Sequence, residues 1–173
     1  MSLLFGILLL MEASSVAQSA AADPDLIVPK LSADLENQNK SSLEAILQYA
    51  AACENLLNSA SPQTAIPGDS WAKEYGDDIG SIFSTNGAFV IFGHNDPSTV
   101  LKTCVVATRS DADLASVVGA LAKKHQVAPR RIAEKDRPNP ELEWLIDDDK
   151  LKYFVGPTVN PKSGLGIFVA KKK

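Results

Sequence analysis

The chain has 173 residues, 45% of them hydrophobic, and its 17 basic and 21 acidic side chains give a net charge of −4. That length suits one domain with a real core. A mildly acidic chain without a dominant basic patch offers no electrostatic case for nucleic acid.

The N-terminus differs in composition from everything after it. Leu3–Leu10, "LLFGILLL", is a short apolar run, followed by the small-residue stretch "MEASSVAQSAAADP". This is the grammar of a secretory signal peptide spanning residues 1–22. Cleavage after Ala22 places Ala20 and Ala22 in the small-residue positions, and cleavage after Ala20 or Ala21 fits nearly as well. The run lacks a Lys or Arg before it and has Glu12 just after it, so an N-terminal anchor or a buried segment stays open as an alternative. It is too short to span a membrane, which takes roughly 20 apolar residues. Without residues 1–22, 151 residues remain, with 20 acids against 17 bases. The expected address is the periplasm or the exterior, with no membrane span after cleavage.

Residues 23–40 mix Pro, Asn and charges and read as a lead-in segment with at most a short turn of helix. Ser41 and Glu44 then form an S-x-x-E capping box. Leu43, Ile46, Leu47, Ala50, Cys53 and Leu57 follow at steps of three and four, which predicts a helix with Cys53 on its apolar stripe. Pro62 and Pro67 bracket its exit. Residues 61–87 read as a loop-rich region pinned by Trp71, Ile79, Ile82 and Phe83, the last three through a short helix. "TNG", Thr85–Gly87, is a turn. "AFVIF", Ala88–Phe92, and "VLKTCVVAT", Val100–Thr108, are strands joined by the loop "GHNDPST".

Ser110 and Asp113 open a second helix with Leu114, Val117, Val118 and Leu121 on its buried side. Lys123, Lys124 and His125 complement the dipole at its end. Beyond Pro129 up to three strands are expected, from "LEWLI", "LKYFVG" and "LGIFVA", with "RRIAEK" only weakly strand-like and "DDD" and "PTVNPKSG" as turns. The order α-β-β-α-β-β-β predicts an α+β domain over residues 41–173. Its two main helices would pack on one face of a mainly antiparallel sheet of about four to five strands.

In an exported chain, the lone pair Cys53 and Cys104 is expected to bond. The bridge would close a loop of about 50 residues, worth on the order of 4 kcal/mol. Two buried free thiols or a reactive cysteine are the other readings. Reactivity needs a nearby base. His94 lies in the turn, and Cys104 stands more than ~10 Å up the strand from it at about 3.3 Å per residue.

Other chemistry is weakly signalled. "GDSW", Gly68–Trp71, resembles the Gly-Asp-Ser block of a lipase and esterase group. That group also needs a preceding buried strand and a C-terminal Asp-x-x-His, and no histidine follows His125, so Asp69 and Ser70 read as turn residues or a helix cap. Two separated histidines and two paired cysteines make no zinc set. Asp147, Asp148 and Asp149 suit weak Ca²⁺ binding only outside any EF-hand spacing. Glu141 and Glu143 flank Leu142 and would share one strand face, where paired carboxylates can serve acid/base work or simply be solvated. No phosphate-binding loop is present, and Lys171–Lys173 form a basic tail. Asn39-Lys40-Ser41 is a glycosylation acceptor in a eukaryotic secretory host. No cofactor or metal is expected.

The apolar leader, a cysteine in the first helix, "KTCVVAT" and the Asp-opened "SDADLASVVGALA" together resemble small exported proteobacterial proteins of unknown function. The likeness spans roughly Ser41 to Leu121 and carries no functional residue with it. The functional expectation is a non-catalytic periplasmic binding or accessory module recognising a protein or envelope component. Its candidate ligand contacts are His94, Glu141 and Glu143. A small hydrolase with a dispersed site is one alternative, and a self-associating envelope protein pairing through an open "AFVIF" or "LGIFVA" edge is another.

Overall fold

The computed structural model describes residues 23–93, 102–137, 139–158 and 164–172. The expected signal peptide, the "GHNDPST" loop with His94, the first residues of the "VLKTCVVAT" strand, residues 159–163 and Lys173 lie outside them.

Among the described residues there are three α-helices: α1 Pro24–Glu36, α2 Leu43–Asn58 and α3 Leu114–His125. The strands are β1 Ala72–Gly76, β2 Gly80–Thr85, β3 Ala88–Gly93, β4 Thr103–Arg109, β5 Arg130–Arg131, β6 Trp144–Asp147, β7 Leu151–Thr158 and β8 Gly164–Lys171. They form one sheet in the order β1-β2-β3-β4-β8-β7-β6-β5, antiparallel at every pairing. The chain is α+β, but the expected two helices on four or five strands is wrong. Sheet dominates, and the helices occupy both of its faces.

The reasons for the difference are local. Pro24 and Pro29 masked α1, yet Asp23 caps it through the Asp25 amide and Pro24 sits in its first turn, where a missing N–H costs nothing. Ile27, Leu31 and Leu35 recur every fourth residue, and the last two are buried. The short helix expected over Ile79–Phe83 is instead β2, where Ile82 and Phe83 are both buried because each faces a different covered side. "RRIAEK" gives only the two residues of β5, then a 3-10 turn at Glu134–Asp136. Neither "AFVIF" nor "LGIFVA" is an edge: β3 lies between β2 and β4, and β8 between β4 and β7. The edges are β1, broken by a register shift between Lys73 and Tyr75, and the very short β5. Both are devices that discourage edge pairing.

The main core lies between α2, α3 and the first sheet face. Ile46, Cys53 and Leu57 from α2 and Val117 and Leu121 from α3 meet Val90, Phe92, Cys104, Val106, Tyr153, Val155 and Ile167. Cys53 and Cys104 are fully buried there and bonded, with Cα atoms 5.6 Å apart. α2 starts one residue later than the sequence suggests, since Ser42 rather than Ser41 accepts from the Ala45 amide. Ser41 is buried and works in tertiary contacts. Its Oγ accepts from Thr108 Oγ1 at 2.9 Å and donates to the Gly87 carbonyl at 3.2 Å, and its amide bonds Arg109 O. Gly87, at φ +90°, makes the β2–β3 turn, and its amide donates to Gln38 Oε1.

A second, smaller core lies on the opposite face, where Leu31 and Leu35 of α1 cover Ile82, Phe89 and Ala107.

Candidate functional site

Strand register carries one row of side chains across all eight strands on the second face. Tyr75 stands opposite Ile82, Ile82 opposite Ile91, Ile91 opposite Val105 and Val105 opposite Phe168. Phe168 then faces Phe154, Phe154 faces Leu145 and Leu145 faces Arg130. Apolar side chains on both faces of a sheet call for cover on both. Here the second face is covered at two places. α1 lies over Ile82, Phe89 and Ala107. Near β7 the segment at Glu141 and Leu142 crosses so closely above Gly156 that a Cβ there would sit 1.9 Å from the Glu141 carbonyl oxygen. Between these covers Ile91, Val105, Phe154 and Phe168 are only half-buried. Phe154 and Phe168 hold each other edge-on at 5.7 Å between ring centres.

The opening is a trench made of two concavities that meet at Val105. One, of about 390 Å³, runs from Pro24, Tyr75 and Ile79 to Ile91, Gly93 and Thr103. The other, of about 280 Å³, has Gly166 and Phe168 in its floor and Glu141, Leu142 and Pro157 along its side. Gly166 helps to make that space, because a Cβ on it would meet nothing closer than 3.8 Å. Among the described residues the only charged side chains in this lining are Asp77 at one end and Glu141 at the other. Asp77 is held by its own loop, accepting from the Ile79 and Gly80 amides at 2.8 Å and from the Tyr75 hydroxyl at 2.6 Å. That hydroxyl bond and the charges of Asp77 and Asp23 raise the Tyr75 phenol above its ordinary pKa. Leu26 and Ile79, beside the Pro24 end, are two of the most exposed large apolar residues.

A second constellation lies at the opposite side of the molecule. His125, the last residue of α3, has Nδ1 2.8 Å from Asp148 Oδ2 and Nε2 3.4 Å from Glu54 Oε1. Lys124 also reaches Glu54, at 2.6 Å. The imidazole packs 4.5 Å from the ring of Tyr153, which is fully buried. Burial and the Glu54 carboxylate push the Tyr153 phenol far above its ordinary pKa. Burial opposes ionisation of Asp148. Bonds from the Leu151 and Lys150 amides, with the His125 ring, outweigh it and hold the carboxyl below its ordinary value. Nδ1 is thus engaged by Asp148, whereas Nε2 is buried near Glu54 without a hydrogen-bond partner, and the cluster ties α2 and α3 to the β6–β7 turn. An Asp–His pair of this kind orients a general base in hydrolases, but here the second nitrogen meets Glu54 rather than a hydroxyl or thiol.

Of the contacts expected from sequence, Glu141 lines the trench. It lies in the turn before β6, and Glu143 too precedes that strand, so the expected pairing of the two on one strand face is wrong. Glu143 pairs with Arg131 at 3.4 Å, and His94 lies outside the described residues. Ser70 is in the turn before β1, its carbonyl accepting from Thr85 Oγ1. Asp147 pairs with Lys152 and Lys172, and Asp148 with His125, which leaves Asp149 as the exposed member of the "DDD" turn. No cluster of metal-ligating side chains occurs among the described residues, and no helix among them is long and apolar enough to cross a membrane.

Sequence reasoning missed the trench. Its residues lie inside good strands, and nothing in "AFVIF" or "CVV" says which face stays open. The available signal was that these runs are apolar at successive positions, which requires two covers where one had been assigned.

No protein-family model matches the chain, and no curated protein or solved structure matches it.

Proposed function

We propose that the protein is a non-catalytic binding module of the periplasm or cell exterior that takes an apolar partner in the trench. The observation that carries the reading is the half-covered row Ile91, Val105, Phe168 and Phe154, open between two covers on a sheet whose other face is fully packed. Concave apolar surface with a few placed polar groups is the usual form of a ligand site. The exported address is supported by the leader-like residues 1–22 and by the buried disulfide, which persists in oxidising compartments. The non-catalytic reading is supported by the surroundings of His125, whose buried second nitrogen faces the Glu54 carboxylate rather than a hydroxyl or thiol.

Titration with an environment-sensitive apolar dye tests this reading. The expected result is saturable binding that Gly166→Leu abolishes while the circular dichroism spectrum and melting temperature are kept, because the added side chain grows into the trench. Dye binding unaffected by that substitution would overturn it.

A further inference from the structure

Resting on that reading, we infer that the partner is a polypeptide segment whose apolar side chains are flanked by lysine or arginine. The open part of the floor is apolar over four adjacent strands, from Ile91 on β3 through Val105 and Phe168 to Phe154 on β7, because α1 covers Ile82. At about 4.8 Å between strands this is a path of roughly 14 Å, the reach of about four extended residues. A path of that length, open between its covers, fits a chain passing through rather than a compact molecule enclosed in a cavity.

Charge selects among such chains. The lining carries carboxylates at both ends, Asp77 beyond Ile79 and Glu141 beyond Leu142, and no lysine or arginine among its described residues. Asp23 adds to the field at the Asp77 end, since its charge bears on the Tyr75 hydroxyl. Asp25 and Asp78 flank the lining residues Pro24 and Ile79 in sequence, against one base, Lys102, beside Thr103. The nearby α1 base Lys30 is paired with Asp34 at 3.2 Å. A fatty acid or anionic lipid would bring its head group to a carboxylate, whereas a segment with a cation at each end of an apolar middle meets an opposite charge at both. Rim charges of this kind set specificity and association rate more than affinity.

The test uses the whole protein and three synthetic peptides with one common apolar centre, flanked by Lys, Ser or Glu and measured by fluorescence anisotropy. The Lys-flanked peptide should bind tightest and the Glu-flanked one weakest, and added salt should erase most of the difference. Asp77→Asn with Glu141→Gln keeps the loop acceptor for the Ile79 and Gly80 amides and removes both charges. It should weaken the Lys-flanked peptide roughly fivefold to tenfold and leave the Ser-flanked peptide unchanged. Equal binding of the three peptides would overturn the charge inference and leave the trench reading standing. Displacement of the dye by a fatty acid but by none of the peptides would overturn the polypeptide partner. Failure of dye and peptides alike would overturn the trench reading itself.

Discussion

Gly156 on β7 and Glu141 in the turn before β6 are in backbone contact, so close that any side chain at 156 would strike the Glu141 carbonyl oxygen at 1.9 Å. This approach fixes one cover of the second face and thereby one wall of the trench. Gly156→Ala should therefore cost about 1–3 kcal/mol as an overpacking substitution. Gly166→Ala, with its nearest neighbours at 3.8 and 4.0 Å, should be neutral or stabilise by up to about 1 kcal/mol through the unfolded chain. Urea denaturation of the two variants decides the matter. Equal destabilisation would contradict the assigned contact.

The disulfide joins residues 51 apart in sequence and lies wholly inside the main core. Replacing both cysteines with alanine should remove about 2–5 kcal/mol of stability. In the native protein, alkylating reagent without reductant should modify neither residue. Two alkylated cysteines in the folded protein would refute the staple.

The Asp148 carboxyl, held below its ordinary pKa in the fold, sets an acid-side dependence. A carboxyl whose folded value is depressed contributes stability that is present above its unfolded value and lost as pH falls through the folded one. Asp148→Asn should therefore lower stability at neutral pH by about 1–2 kcal/mol. The gap to the native protein should close as pH drops below the ordinary carboxylate range. Asp113, held low by the Ser116 amide and hydroxyl, titrates in the same sense. A gap that stays constant as pH falls below that range would show that Asp148 acts through packing rather than ionisation.

The two main helices, the strands after Pro129 other than "RRIAEK", and the Cys53–Cys104 pairing were legible because each rests on a local pattern. The cap at Asp113 and the apolar steps of α2 are such patterns, and so is a single pair of cysteines. What escaped depends on cover. A helix containing Pro29 reads as broken until Leu31 and Leu35 find Phe89 and Ala107 beneath them. β2 resembles a helical turn because Ile82 and Phe83 are adjacent and both buried, which only a sheet covered on two sides explains. The trench escaped for the complementary reason. Val105 and Val106 are chemically alike and adjacent in sequence, but α2 and α3 seal Val106 in the main core while the gap between α1 and the Glu141 segment leaves Val105 half-open on the other face. The Glu54–His125–Asp148 cluster joins residues about 20 to 90 positions apart and has no local signature at all.

The central claim is that the open part of the second face is the binding surface, and methyl NMR of labelled Ile and Val groups during titration with the apolar dye tests it most directly. The account predicts saturable shifts at Ile91 and Val105, with Ile46 of α2 and Val117 of α3 unmoved. A rival concavity of about 300 Å³ lies between α2 and the turn at Pro67–Trp71. Shifts confined to Ala51 and Ala52 in its lining, in a sample also labelled at Ala, with Ile91 and Val105 silent, would contradict it.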